Sequence, residues 1–175
     1  MILINELKIN PDQQFLILGH QKNLLVYLQK AIDYRKIGTM GYYIGGMKQK
    51  DLKISETKQI ILATFSMAAE ALDIKSLTSL ILTTPKTDVE QAVGRILRVK
   101  HSSPLVIDII DQHDIFKKQF YKRQAFYQKN NYKILHTDDY KGDKWTEITK
   151  KNGKQKEKEA EAAKLLPMGK CLISI

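Results

Sequence analysis

Lys58-Gln59-Ile60-Ile61-Leu62-Ala63-Thr64-Phe65-Ser66-Met67-Ala68-Ala69-Glu70-Ala71-Leu72-Asp73-Ile74 begins as an apolar run of strand length and then turns small and polar. A chain reads this way when it leaves a strand buried on both faces and passes straight into a helix. The same alternation repeats outward from it. Upstream, Phe15-Leu16-Ile17-Leu18 ends at Gly19, residues 23–32 have helical spacing, and Met40-Gly41-Tyr42-Tyr43-Ile44 is the next strand, broken by Gly45-Gly46. Downstream, residues 77–83 form a strand closed by Pro85, and Leu105-Val106-Ile107-Asp108-Ile109-Ile110 forms another. A helix over 113–129 and a short strand over 132–135 follow. Strands and helices alternating at these lengths predict an α/β fold, a parallel sheet with helices on both faces. Ligands of such sheets bind beyond the carboxyl ends of the strands. Gly19-His20-Gln21, Gly45-Gly46-Met47-Lys48 and Thr64-Phe65-Ser66 all fall there, so they line one edge.

Asp88-Val89-Glu90-Gln91-Ala92-Val93-Gly94-Arg95-Ile96-Leu97-Arg98 carries two stripes. Val89, Ala92, Val93, Ile96 and Leu97 recur at the three-and-four spacing of a buried helix face. Gln91, Arg95 and Arg98 fall at i, i+4 and i+7 and point elsewhere. A helix anchored on one side thus holds an amide and two guanidiniums in a row, and planar, always-charged donors suit phosphate oxygens. Gly94 within the helix costs about 1 kcal/mol relative to Ala, so it serves close approach or packing. Taken alone, the stripe reads more readily as solvated arginines on an amphipathic helix. The segment upstream reverses that reading.

Residues 64–73 resemble motif V of superfamily 2 helicases, and residues 91–98 resemble their motif VI, the Gln-x-x-Gly-Arg-x-x-Arg signature. Residues 15–32 resemble motif IV. The order and spacing match the second RecA-like domain, over about residues 12–136. The resemblance implies a RecA-like sheet in which Arg95 and Arg98 reach the γ-phosphate of ATP as arginine fingers, with Gln91 sensing the same phosphates. It puts Asp73 and Gly94 toward the nucleotide and Thr64 on the nucleic-acid backbone, with Ser66, His20, Gly46 and Lys48 along the same track. Where the family commonly has glycine before its hydrophobic-Asp pair, this chain has Ala71. The stretch from motif V through Thr84-Pro85-Lys86-Thr87, with the basic aromatic helix after residue 111, is similar to XPB-type and phage recombination helicases. It is similar also to the transcript-release helicases of large cytoplasmic DNA viruses.

The chain has no phosphate loop of the Gly-x-x-x-x-Gly-Lys-Ser/Thr kind and no Asp-Glu pair. In the family those parts belong to the first RecA-like domain, which binds most of the ATP and Mg2+. The expectation is half of an ATPase, inactive alone, whose partners are that first domain and a nucleic acid. DNA, single- or double-stranded, is the first expectation and RNA the alternative. A different class of reading is a non-catalytic nucleic-acid-binding module that kept the RecA-like fold and lost the chemistry.

Composition fits this picture. The 175 residues, 43% of them hydrophobic, suit a single core with an extension. No apolar run is long enough to span a membrane and the N-terminus does not read as a secretory signal, so no membrane partner is expected. A lone Cys171 excludes an internal disulfide and a cysteine metal cluster, which fits a reducing, cytoplasmic compartment. The formal charge of +10 favours a polyanionic partner. Residues 1–140 read as the RecA-like domain and 141–175 as a charged extension. Within it Lys150-Lys151-Asn152-Gly153-Lys154-Gln155-Lys156-Glu157-Lys158-Glu159-Ala160-Glu161 cannot bury a core and reads as a solvated helix or linker. The apolar Leu172-Ile173-Ser174-Ile175 at the end docks on the domain or continues elsewhere.

Other features have bland readings. Phe116, Phe120, Tyr121, Phe126 and Tyr127 interleave with Lys117, Lys118, Lys122 and Arg123, a mixture that can stack bases; on a helix after the last strand most of these rings cover the sheet instead. His20, His101, His113 and His136 are too scattered to ligate a metal. Asp108, Asp111 and Asp114 read as caps and solvated charges.

Overall fold

The computed structural model describes residues 2–70, 72–96, 104–111, 113–138, 144–149 and 170–174. Five strands form the parallel body of one sheet: β1 (Phe15–Gly19), β2 (Met40–Tyr43), β3 (Ile60–Thr64), β4 (Ser79–Leu82) and β5 (Leu105–Ile110), in the order β2-β3-β1-β4-β5. Every residue of β1, β3 and β4 is buried, which is what near-continuous apolar runs in a doubly covered parallel sheet require.

Period-two alternation along these strands divides the core. Phe15, Ile17, Ile60, Leu62, Ile81 and Ile107 face α1 (Ile2–Ile9) and α2 (Lys22–Tyr34), the latter contributing Leu25 and Ile32. Leu16, Leu18, Ile61, Ala63, Leu80 and Leu82 face the opposite side. There they meet Leu52 of α3 (Gln49–Glu56), Phe65 and Ala68 of α4 (Phe65–Glu70), Ala92, Val93 and Ile96 of α5 (Glu90–Ile96), and Phe120 and Tyr127 of α6 (Asp114–Lys129). The parallel sheet covered on both faces is therefore observed as expected.

Several elements differ from the expectation. Helices α1 and α3 were not foreseen. Strand β4 starts at Ser79 rather than 77, although Leu77 is fully buried before it. The short strand expected over 132–135 is β6 (Ile134–Thr137), displaced because Asn131 turns with φ +60° and Tyr132 packs as a ring against Phe126 and Tyr127. Beyond β5 the sheet continues antiparallel, through β8 (Lys170–Ser174), β6 and β7 (Thr146–Glu147). The apolar end of the chain thus docks as a strand between β5 and β6. The charged run 150–161 lies outside the described residues.

One close approach fixes α3 on the sheet. A Cβ built on Gly41 would lie 2.6 Å from both Cα and Cβ of Ser55. The backbone itself is in the way, so no rotamer change relieves it. We expect Gly41→Ala to destabilise the domain by about 1–3 kcal/mol, the usual range for overpacking, read as a lower urea midpoint with unchanged slope.

Candidate functional site

The strand order sets the carboxyl-end loops side by side. Along that edge come Gly46 and Lys48 after β2, Thr64 and Ser66 at the end of β3, His20 after β1, and Thr84 with Lys86 after β4. Gly46 has φ +90°, a backbone that only glycine takes without strain. Lys22 Nζ donates to the Gly45 carbonyl at 3.3 Å, tying the start of α2 to that turn. Lys48 is exposed on the residue that precedes α3. Thr64 is buried, with its hydroxyl 3.3 Å from that of exposed Ser66. The expected nucleic-acid residues therefore do fall on one edge.

His20 is held by Thr84. Its backbone N–H donates to Thr84 Oγ1 at 3.1 Å, and its Nδ1 lies 2.7 Å from the same oxygen. The imidazole centroid is 4.6 Å from that of Phe65, and Lys86 Nζ is 4.6 Å from the same ring. Partial burial, and then the Lys86 charge, hold the His20 pKa below the ordinary imidazole value. Lys86 was not anticipated, although its place just past a strand end is the signal that singled out the other loops.

On α5 the expected anchoring face is real: Val89, just before the helix, and Ala92, Val93 and Ile96 within it are buried. Gln91 and Gly94 are exposed. The helix starts at Glu90, whose N–H donates to Asp88 Oδ1 at 3.1 Å. Arg95 does something the sequence did not show. Its Nη1 donates to the Leu72 carbonyl at 2.6 Å and its Nη2 to the Ala69 carbonyl. These carbonyls lie at and just beyond the end of α4, where helix acceptors lack partners of their own. Among the described residues, a Cβ on Gly94 would meet nothing within 4 Å, so packing against them is not the reason for this glycine. Asp73 is exposed beside the fully buried Leu72. Ala71, Leu97 and Arg98 lie outside the described residues.

Phe65, Ala68, Ala69, Lys86, Asp88, Gln91 and Ala92 line a concavity of about 30 Å³. Small-molecule pockets are roughly ten times larger. The described residues of this face do not enclose a nucleotide by themselves. Among the described residues, no cluster of three His, Cys, Asp or Glu side chains is arranged to hold a metal, and no helix is long and apolar enough to cross a membrane.

A buried ion pair sits behind the edge. Arg123 and Asp108 are each 1% exposed, with Arg123 Nε 2.7 Å from Asp108 Oδ2 and Nη2 2.8 Å from Oδ1. Tyr127 donates its hydroxyl to Oδ2 at 3.3 Å, and Arg123 Nη1 donates to the Lys86 carbonyl at 2.5 Å. Burial pushes Asp108 up from the usual carboxylate range, opposed by the Arg123 hydrogen bonds and charge. Asp108 is thus not a solvated charge, and Arg123 is not part of a basic surface. The pair fixes the loop that carries Lys86 to β5 and α6.

The comparisons with known proteins fit this architecture. The chain is 53% identical over 100 residues to a protein of Acanthamoeba polyphaga mimivirus named as an ATP-dependent RNA helicase, a match covering 55% of this chain and 19% of that protein. It is 32% identical over 95 residues to an African swine fever virus protein of the same description, covering 52% and 19%. A helicase of Invertebrate iridescent virus 6 is 21% identical over 154 residues, covering 76% of the chain and 35% of that protein. No family model matches. Among solved structures, the C-terminal part of the Fun30 ATPase domain superposes with a TM-score of 0.57 at 14% identity, covering 69% of this chain and 43% of that one. The chain has the RecA-like fold of these helicase ATPase domains and is similar in sequence, over about half its length, to helicases of large DNA viruses. The Hef helicase domain of Pyrococcus furiosus shares the same fold, with a TM-score of 0.56 at 13% identity over 70% of the domain and 26% of that chain. The domain's match spans about a fifth of the length of the mimivirus and swine fever virus relatives.

Proposed function

We propose that this domain, residues 1–140 with a charged extension over 141–175, is the second RecA-like unit of an ATP-dependent nucleic-acid helicase or translocase. Its α5 face completes an ATP and Mg2+ site held mainly by a first RecA-like domain. The observation that carries this reading is the edge itself. Thr64 and Ser66, Gln91 at the start of α5, and His20 come from separate parts of the chain and lie together at the carboxyl ends of one sheet. Gln91 presents an amide there, and among the described residues nothing crowds Gly94, which suits an approaching partner. Arg95 and Arg98 supply the fingers, Arg95 by exchanging its carbonyl acceptors for phosphate oxygens, and Asp73 lies toward the nucleotide. Thr64, Ser66, His20, Gly46 and Lys48 follow a sugar–phosphate backbone.

Backbone contacts of this kind do not distinguish bases. The names of the mimivirus and swine fever virus relatives specify RNA and lend no weight to a DNA preference, so the polymer is left as nucleic acid. The compartment proposed is reducing and cytoplasmic. The engaged state of Arg95 favours the second reading in one respect: a guanidinium bound to backbone is what a binding module that lost its chemistry would keep.

Phosphate release and strand binding by the pure chain test the proposal together. The expected result is no ATP turnover with either DNA or RNA present, and weak binding of single strands that falls steeply with salt. Thr64→Ala and Lys48→Ala should weaken that binding for all sequences alike. Robust turnover by the chain alone would overturn the half-site reading. Salt-indifferent binding, untouched by both substitutions, would remove the edge from the track.

A further inference from the structure

We propose that Lys86 and His20 form a phosphate cradle on the Phe65 ring, one that takes a phosphodiester group of the nucleic-acid backbone. This rests on the nucleic-acid reading above and adds a cation outside the residues so far assigned to the track.

The geometry begins with the ring. Phe65 is nearly buried at the start of α4, so it is a floor rather than a stacking platform. Lys86 Nζ stands 4.6 Å from its centroid, and the His20 ring lies 4.6 Å away at a tilt of 44°. A cation over an aromatic face is held in place at modest cost in hydration. Lys86 has no carboxylate partner within ion-pair distance among the described residues. Asp88 lines the same concavity, but its Oδ1 accepts the N–H of Glu90. The ammonium is therefore available to an anion from outside.

His20 supplies the second donor. Thr84 Oγ1 accepts the backbone N–H of His20 and lies 2.7 Å from Nδ1, where its hydroxyl proton can be donated to the ring. In that arrangement the ring proton is on Nε2, a neutral N–H donor on an exposed side chain. The cradle is also firmly mounted. Arg123 holds the Lys86 carbonyl, and Arg123 is itself locked to Asp108. A positively charged side chain and a neutral N–H donor on two adjacent strand-end loops suit the two non-bridging oxygens of a phosphodiester. The site lies between Thr64 and Ser66, where β3 passes into α4, and the start of α5, so it extends the backbone track toward the proposed ATP face.

A free nucleotide could offer the same oxygens, and the test separates the two sources. Labelled single strands of about 20 nucleotides, long enough to cover a typical single-strand site, and, separately, ADP and inorganic pyrophosphate are titrated against the full chain, Lys86→Gln, Lys86→Arg and His20→Ala. The expected result is a loss of about 5–10-fold in strand affinity for Lys86→Gln, with the salt slope smaller by about one counterion. Lys86→Arg should bind nearly as the parent does, His20→Ala should lose about 2–5-fold, as a single neutral hydrogen bond would, and pyrophosphate affinity should not change. Lys86→Gln binding strands like the parent, with the parent's slope, would overturn the cradle. So would a loss confined to ADP or pyrophosphate. If the parent itself binds no strand, the nucleic-acid reading fails first; if the parent binds and responds to Thr64→Ala but not to Lys86→Gln, only the cradle fails. A Lys86→Gln chain that does not fold is replaced by Lys86→Arg and Lys86→Met, whose contrast decides the same question.

Discussion

Arg98→Ala, made in a longer protein that carries the proposed first RecA-like domain, is expected to lower kcat for ATP by about 10³-fold or more while strand affinity stays within a few-fold of the parent. An arginine that meets phosphate charge as it develops acts on the transition state, and fingers of this type are worth roughly 10³–10⁵ in rate. Lysine should restore little, because an ammonium lacks the planar fork that engages two oxygens at once. Single-turnover phosphate release with bound nucleic acid measures the effect directly. A folded variant with near-normal kcat would take Arg98 out of the chemistry and leave Gln91 and Arg95 as the residues to test.

Arg123→Met should destabilise the domain by about 3–5 kcal/mol, the usual range when one partner of a buried ion pair is removed and the other stays without compensation. For a domain of this size the loss corresponds to roughly 10 °C in melting temperature. The substitution also strips the Lys86 carbonyl of its donor, so any strand binding that survives at low temperature should fall with it. The double variant Asp108→Leu/Arg123→Met should recover much of the stability but not the binding, since an apolar pair can fill the space yet cannot hold that carbonyl. Calorimetry and strand titration in the cold separate the two effects. A single variant as stable as the parent would mean that the pair is not a structural element.

The parallel body of the sheet was legible because β1, β3 and β4 are apolar at every position or nearly so, a pattern that leaves few alternatives. The anchoring face of α5 was legible for a similar reason, since Val89, Ala92, Val93 and Ile96 repeat at helical spacing and are all buried. Helix α3 was not, because it buries only Leu52 and Ser55 and is fixed on the sheet by the absence of a side chain at Gly41. The Asp108–Arg123 pair was hidden by distance along the chain. A carboxylate in a strand and an arginine fifteen residues later on a lysine-rich helix each look solvated until the fold brings them together. The edge residues could be placed by the strand-end rule, which applied equally to Thr84 and Lys86 had it been carried one loop further. The engagement of Arg95 could not be read at all, because its partners are backbone carbonyls and have no letter in a sequence.

That engagement makes Arg95 a single resource with two claimants. The N–H groups that hold the Ala69 and Leu72 carbonyls are those a phosphate would recruit, and one guanidinium does not serve both fully at once. On the proposed reading, drawing Arg95 toward ATP would uncap the end of α4, the helix that begins at Phe65 under His20 and Lys86. Nucleotide occupancy and the grip on the strand would then be opposite ends of one lever, with its fulcrum at a six-residue helix.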